Sequence, residues 1–154
     1  MARLPRLVLP GFAHHLIQRG HNQQAIVRTD ADRTAYLEFL REAARSERVA
    51  VHAYALMDTQ VHLLVTPEND GGLSRMMQTL GRRYVGWFNR AHSHTGTLWE
   101  GRFRGTVLEA ERYLLATMRC IELAPVQAGA AAAPQDFPWS SYAHHIGLRN
   151  DTML

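Results

Sequence analysis

The chain has 154 residues, about the size of one ordinary domain, and contains 46% hydrophobic and 20% charged residues. This balance excludes a disordered chain, and no apolar run approaches the roughly 20 residues needed to span a bilayer. The single cysteine, Cys120, excludes an internal disulfide, and the proline-interrupted start does not match a signal peptide. We therefore expect one cytoplasmic domain over residues 1–154 with no membrane partner.

The positive charge of the chain is carried by arginine alone and is unevenly distributed. The 17 basic residues include no lysine, and the formal net charge is +3. Residues 1–29 contain arginines and no acid, residues 75–104 contain several arginines against Glu100 alone, and acids concentrate in residues 30–47. Because guanidinium groups bind phosphate through two parallel hydrogen bonds, this separation predicts a one-sided basic surface and an anionic partner.

The hydrophobic pattern predicts strands and helices in a definite order. The predicted elements are a strand at 13–20, a helix capped by Thr29 or Asp30, strands at 49–57 and 60–67, a helix within 69–92, a short strand at 106–110 and a helix at 111–125 that stops at Pro125. Alternation in the second strand places Val51, Ala53, Ala55 and Met57 on one face. This order is typical of an α+β, ferredoxin-like antiparallel sheet with helices packed on one face.

The helix at 69–92 and the loop after it combine arginines with aromatic residues. The candidate nucleic-acid contacts are Arg82, Arg83, Arg90, Trp99, Arg102, Phe103 and Arg104. Arginines engage phosphates, and exposed aromatic rings stack on unpaired bases. Core or loop anchoring is an equally good explanation for Trp99 and Phe103. The histidines at 14, 15, 92 and 94 are expected to be solvated, or else to add positive charge on DNA.

The strand at 60–67 carries Gln60 and His62 on one face, because residues two apart in a strand point the same way. Two histidines at this spacing could hold a divalent metal that polarises a scissile phosphate. A nearby tyrosine could then attack that phosphate. Here one of the two positions is glutamine.

Several long strings resemble the single-tyrosine HUH transposases, in the branch of REP-associated tyrosine transposases. They are "LPGFAHHLIQRG", "HAYALM…VHLLVTP", "GLSRMMQTLGRRYVGWFNR", "GTLWEGRFR", "ERYLLATMRCIELAPVQAG" and "PWSSY", and they span almost the whole chain. The resemblance implies a small sheet bearing a histidine pair, Mg²⁺ or Mn²⁺ as cofactor, and hairpin-forming single-stranded DNA as partner. It also implies either a monomer or a homodimer that exchanges catalytic helices.

The chain departs from the family at three positions that carry the chemistry. The family strand reads His-hydrophobic-His, whereas this chain reads Gln60-Val61-His62. The family's nucleophilic tyrosine corresponds to Cys120 in this chain, and the family's amide ligand four residues later corresponds to Ala124. We expect weak or vestigial metal binding at His62 and Gln60, and a buried, inactive thiol at Cys120.

Three hypotheses follow from these departures. The first is a DNA-binding protein of the transposase family with an inactive cleavage centre. The second is an active transposase that uses Gln60, His62 and a displaced nucleophile, either Tyr113 or Cys120. The third is an interaction protein that has lost DNA binding as well.

Overall fold

A computed structural model describes residues 7–109 and 111–154 of the chain. In chain order its elements are β1 (His14–Arg19), α1 (Asp30–Ser46), β2 (Val49–Leu56), β3 (Gln60–Pro67), α2 (Gly72–His92), β4 (Arg104–Val107), α3 (Leu114–Gln127) and the short α4 (Tyr142–His145). A turn of 3-10 helix, Glu111–Tyr113, leads into α3. Arg3 and Arg6 of the basic amino-terminal stretch, and Ala110 of the predicted short strand, lie outside the described residues.

The strands form one antiparallel sheet in the order β2-β3-β1-β4. The strands β1 and β2 are joined through α1 and lie on either side of β3, which is the split βαβ arrangement. The predicted α+β, ferredoxin-like fold is confirmed. The fourth strand begins two residues earlier than predicted, at Arg104, and pairs with β1 through Ile17↔Arg104 and His15↔Thr106.

The helices cover both faces of the sheet, rather than the one face that the sequence predicted. The main core lies between the sheet and the helices α1 and α2, and it includes Leu63 and Val65 of β3. A second apolar cluster lies on the other face, where Ile121 of α3 packs with Ala53, Ala55 and Leu64. The sheet needs a second cover because Leu64 and the alanines of β2 make its opposite face apolar as well.

A β-bulge at His52 explains why one part of the predicted face of β2 is wrong. Val51 pairs with Val65, and the next pair is Ala53 with Leu64, so His52 is an extra residue in its strand. The insertion reverses the alternation of side chains. Val51 therefore packs in the main core, whereas Ala53, Ala55 and Met57 face α3.

The ends of the helices agree with the sequence at α1 and differ from it at α3. Thr29 caps α1 in a reciprocal capping box with Asp32. Pro125 does not end α3, which continues to Gln127. A proline in the last turn removes one hydrogen bond, and the turn is still closed by the Ala128 amide, which donates to the Ala124 carbonyl at 2.9 Å. Among the described helices, none has the length and apolarity to cross a membrane.

Candidate nucleic-acid interface and metal position

Two histidines meet on the face of the sheet that α3 covers in part. His62 of β3 pairs across the sheet with Ile17, and His15 lies two residues before Ile17 on the same side of β1. Their rings stack with centroids 5.3 Å apart, and His15 Nε2 lies 3.0 Å from His62 Nδ1. The structure thus gives His62 a histidine partner from a neighbouring strand, which was not predicted from the sequence.

Both imidazoles are neutral near pH 7. Burial lowers the pKa of His15. Burial, and then the positive charges of His15 and Arg19, lower the pKa of His62 to about 4. His62 Nε2 is buried and has no hydrogen-bond partner among the described residues. His14 is also buried, and its Nδ1 lies 2.7 Å from the Phe12 carbonyl. His14 and His15 are therefore not the solvated loop residues that the sequence predicted.

Gln60 lies on the same face as His62, but its amide is already engaged. Arg19 Nε donates to Gln60 Oε1 at 3.2 Å. The Gln60 amide nitrogen contacts the sulfur of Met57 at 3.9 Å. A metal ion at the Gln60 oxygen would lie beside the guanidinium of Arg19, whose positive charge repels it.

The nucleophile position that the resemblance assigned to α3 holds a thiol that is exposed, not buried as predicted. Ala124, one turn later, is partly buried against the apolar cluster of Ile121 and Ala55 and offers no ligand atom. Tyr113 lies at the start of α3 with 44% of its surface exposed, and the guanidinium of Arg112 is 5.3 Å from its ring. The helix therefore presents a cysteine and a tyrosine to solvent.

These residues do not fit the Mg²⁺ or Mn²⁺ site that the resemblance implies. Hard divalent cations need several oxygen ligands, and the only one at the family positions is the Gln60 amide, which Arg19 occupies. In residues 7–109 and 111–154, no group of three His, Cys, Asp or Glu side chains is arranged to hold a metal ion. The donors that do converge are two imidazole nitrogens.

Beside the histidines, three arginines surround a small polar cleft at the β1–β4 edge of the same sheet. The cleft has a volume of about 100 Å³ and is lined by Arg19, Arg102, Arg104, Glu100 and Ile17. The ion pairs of the described residues include none with these three arginines. Ile17 pairs with both His62 and Arg104, which places the arginine cleft directly next to the histidine pair.

The arginines of α2 fall into two groups. Arg83 is bound to Glu42 of α1 at 2.6 Å and lies 4.5 Å from the centre of the Phe39 ring, and Arg75 is bound to Glu47 at 2.7 Å. Arg82 and Arg90 are exposed and have no ion-pair partner within the described part of the chain. Of the predicted contacts on this helix, Arg83 thus has a carboxylate partner on α1, whereas Arg82 and Arg90 have none within the described residues.

The two predicted stacking residues are mostly buried. Trp99 is 9% exposed and Phe103 is 7% exposed, and both belong to the main core. Trp99 packs edge-on against Tyr36 and tilted against Tyr84. Trp99 and Phe103 also line an open groove of about 580 Å³ between α2 and the loop 96–103, together with Arg82 and Arg102.

Sequence reasoning missed His15 and Arg19 as members of this region. Their strand was predicted, but the pairing that sets β1 against β3 joins residues more than 40 positions apart. The alternation of His15, Ile17 and Arg19 along one face was a readable signal. Combined with the split βαβ order, which makes β1 and β3 neighbours, it would have placed His15 and Arg19 on the face of His62.

Comparisons with known proteins agree on one family. The sequence matches the family model described as transposase IS200-like over residues 10–121. The fold is similar to that of a REP-associated tyrosine transposase solved bound to a REP hairpin, with a TM-score of 0.80, 14% identity, and coverage of 99% of this chain and 96% of that one. It also resembles a proposed transposase from Deinococcus radiodurans R1, with a TM-score of 0.53, 18% identity, and coverage of 77% and 93%.

The sequence has no significant match among curated proteins. The two solved structures are below 25% identity and establish the shared fold. The family model covers most of the chain, including β1, β3 and the arginine-rich loop. This chain belongs to the IS200-like transposase family.

Proposed function

We propose that this transposase-family chain binds single-stranded or hairpin DNA at the β1–β4 edge of its sheet and that its DNA-cleavage centre is inactive. The observation that carries the proposal is the cleft of Arg19, Arg102 and Arg104, whose charges no carboxylate of the described residues neutralises by an ion pair. Guanidinium groups that lack an ion-pair partner and converge on one cleft are suited to phosphate oxygens.

The surroundings of the cleft extend this binding surface towards α2. Arg102 lines both the polar cleft and the larger groove, and Arg82 lies on the other side of that groove. A strand whose phosphates contact these arginines would lay its bases along the groove. Because Trp99 and Phe103 are almost fully buried, we expect the groove to contribute apolar contact rather than full stacking. A REP hairpin is bound by the REP-associated tyrosine transposase that shares this fold, which supports DNA as the partner.

The proposal of an inactive centre is supported by the residues found where the family has its nucleophile and metal ligands. The position of the family's nucleophilic tyrosine holds the thiol of Cys120 instead of a phenol. Ala124 supplies no ligand, and Gln60 is bound to Arg19. A metal-dependent attack on phosphorus requires both a metal that polarises the phosphate and a nucleophile in line with it.

The proposal is tested by measuring how salt weakens the binding of a fluorescent hairpin oligonucleotide with an unpaired 5′ flank. For single strands, the logarithm of the affinity falls with the logarithm of salt concentration by about 0.7 per phosphate contact. The double variant Arg102→Ala with Arg104→Ala is expected to bind more weakly and to have a slope shallower by about 1.4, if both arginines contact phosphate.

The matched control removes the same charge from the ion-paired arginines. Arg75→Ala with Arg83→Ala also lowers the net charge by two, but it breaks contacts to Glu47 and Glu42. We expect this control to retain most of the parent slope. Equal slopes for both double variants would show that binding follows net charge and not the cleft. No binding by the parent chain would favour the third hypothesis, an interaction protein without a nucleic-acid partner.

The exposure of Cys120 and Tyr113 keeps an active transposase as the alternative function. Both side chains reach solvent on α3, so either could act as a displaced nucleophile. This alternative requires a covalent bond between the protein and a DNA phosphate, whereas the proposed function requires only reversible binding. Formation of that covalent adduct therefore separates the two.

A further inference from the structure

The groove between α2 and the loop 96–103 contains a buried amide that has no partner. Gln18 of β1 lines this groove and is only 9% exposed, and its side chain forms no hydrogen bond within the described residues. Trp99 lines the same groove, and its indole Nε1 is buried and likewise has no partner there. Native proteins satisfy nearly all such groups, and each exception calls for an explanation.

The lining of the groove is suited to a flat ring that carries polar groups at its edge. Met77, Val85 and Phe103 supply apolar surface around a volume of about 580 Å³. A glutamine amide places a carbonyl acceptor beside an NH₂ donor. This pair matches the amino group and the ring nitrogen of adenine, which glutamine binds through two hydrogen bonds. An apolar cleft with a few polar groups is the usual form of a site for such a ligand.

The arginines around the groove indicate that the ring belongs to a nucleic-acid strand. Arg102 lines this groove and also lines the cleft of Arg19 and Arg104 at the β1–β4 edge. Arg82 lines the groove from α2. A strand with a phosphate at Arg102 would therefore carry a base next to the opening of the groove.

Gly81 leaves space on the α2 side of the groove. It lies inside a helix of 21 residues, where glycine is less favourable than alanine. A Cβ atom added at Gly81 would meet only the indole Nε1 of Trp99, at 3.7 Å, which is an ordinary van der Waals contact. Packing and helix formation would thus tolerate a larger residue at position 81, and its side chain would take up space beside Trp99.

We propose that this groove holds one unpaired base of the bound DNA strand and that the Gln18 amide recognises it, with adenine preferred to the other bases. The inference rests on the proposed function, because it requires a strand at the β1–β4 edge. It adds a sequence preference that the arginine cleft cannot supply, since phosphates are the same in every nucleotide. Gln18 is thus a specificity-determining residue of the DNA-binding surface.

The test compares the affinities of the chain for hairpins that differ at one position of the unpaired flank at a time. Each position carries in turn the four bases, an abasic site, and purine, which lacks the 6-amino group of adenine. We expect one position at which adenine binds about tenfold more tightly than the alternatives. Gln18→Leu should lose this preference and keep the parent's salt slope, because it removes no phosphate contact.

A second variant fills the groove without removing a polar group. Gly81→Leu should also weaken the preference for adenine. Gly86→Leu makes the same change on the same helix outside the groove, where the added Cβ would meet only the guanidinium of Arg90 at 3.4 Å, and this control should keep the preference. Both variants replace glycine by a better helix former, so a loss of helix does not explain a difference between them.

The outcomes separate this inference from the proposed function. Salt-dependent binding by the parent with no base preference at any position would overturn the inference and support the proposed function. An adenine preference that survives in both Gln18→Leu and Gly81→Leu would likewise overturn the groove as its source. A preference for another base that disappears in Gln18→Leu would overturn the choice of adenine. A parent chain that binds no hairpin contradicts both proposals.

Discussion

Asp32 shows how one buried carboxylate can fix the position of two helices. It accepts hydrogen bonds from the backbone amides of Arg28 and Thr29, at 2.7 and 3.0 Å, and contacts His92 Nε2 at 2.8 Å. The first two bonds begin α1, and the third joins the start of α1 to the end of α2. Burial would raise the pKa of Asp32, but these hydrogen bonds outweigh it and hold the pKa below its ordinary value of 3.8.

Replacing Asp32 by alanine should destabilise the fold by about 2 kcal/mol near pH 7, because two backbone amides and an imidazole lose their buried acceptor. The lowered pKa in the folded state means that the stabilisation is fully present above the unfolded pKa and is lost as pH falls through the lower, folded value. Urea denaturation at pH 7 and pH 3 should therefore show a smaller difference between parent and variant at pH 3.

The control for this prediction is Asp30→Ala in the same turn. The Asp30 side chain is 82% exposed and contacts Arg33 at 3.6 Å, so its loss should change the free energy of unfolding by less than about 1 kcal/mol. A difference for Asp32→Ala that does not shrink at low pH would mean that the carboxylate charge is not what stabilises the junction of α1 and α2.

What the sequence predicts about single residues depends on how local their partners are. The capping box of Thr29 and Asp32 spans three positions and was predictable from the letters alone. The ion pair of Arg83 with Glu42, and the pairing of His15 with His62, each join residues more than 40 positions apart. Such contacts follow from tertiary packing. The sequence therefore identified Arg83 and His62 as candidates, but it could not show that each already has a partner within the protein.

Among the elements, the segment after α3 covers the edge of the sheet that β2 forms. β2 is an edge strand, and residues 139–141 lie along it, with hydrogen bonds from the Leu56 amide to the Trp139 carbonyl and between the backbones of Tyr54 and Ser141. The Ser141 hydroxyl accepts from the Tyr54 amide at 3.0 Å and donates to the buried carboxylate of Glu122 on α3. This serine therefore connects β2, α3 and the carboxy-terminal segment.

Ser141→Ala should lower the free energy of unfolding by about 1–3 kcal/mol, because a buried amide and a buried carboxylate each lose a partner. Urea denaturation followed by tryptophan fluorescence measures this, since Trp139 lies in the affected segment. Ser46→Ala, at an exposed site in α1, is the control and should change stability by less than about 0.5 kcal/mol. Equal stability of parent and Ser141→Ala would show that Glu122 is satisfied by His145 alone.

The elements themselves were largely predictable, and the exceptions have local physical causes. The periodicity of β1, α1, β3 and α2 gave their positions because each has one clear apolar face. The bulge at His52 inserts one residue that the composition of the strand does not reveal. The prediction that Val51 shares a face with Ala53 was therefore wrong. Pro125 suggested a helix end, but a proline in a last turn is compatible with helix.

On the scale of the whole molecule, the carboxylates of α1 decide which arginines remain free. Glu42 and Glu47 neutralise Arg83 and Arg75, which lie on the side of α2 that faces α1. The arginines at the β1–β4 edge share their cleft with Glu100 but form no ion pair within the described residues. The modest net charge of +3 thus leaves a concentrated positive region next to the histidine pair. Such a region is suited to an anion, in agreement with the proposed DNA-binding edge.

The proposal of an inactive centre makes a prediction for the whole protein in contact with DNA. Incubated with hairpin single-stranded DNA and Mg²⁺ or Mn²⁺, the parent chain should form no covalent adduct on a denaturing gel, because it lacks both a suitable nucleophile and the family's ligands. Gln60→His, Cys120→Tyr and Ala124→Asn should each stay inactive alone, since a metal without a nucleophile, or the reverse, cleaves nothing. We expect an adduct only when all three are combined.

The same gel distinguishes the alternative. A band formed by the parent and abolished by Cys120→Ala or by Tyr113→Phe would identify a displaced nucleophile and contradict the inactive centre. The packing of Ala124 against Ile121 and Ala55 leaves limited space for asparagine, so the folded state of the triple variant must be verified by circular dichroism. A folded triple variant that binds the hairpin but forms no adduct would show that these three positions do not account for the loss of activity.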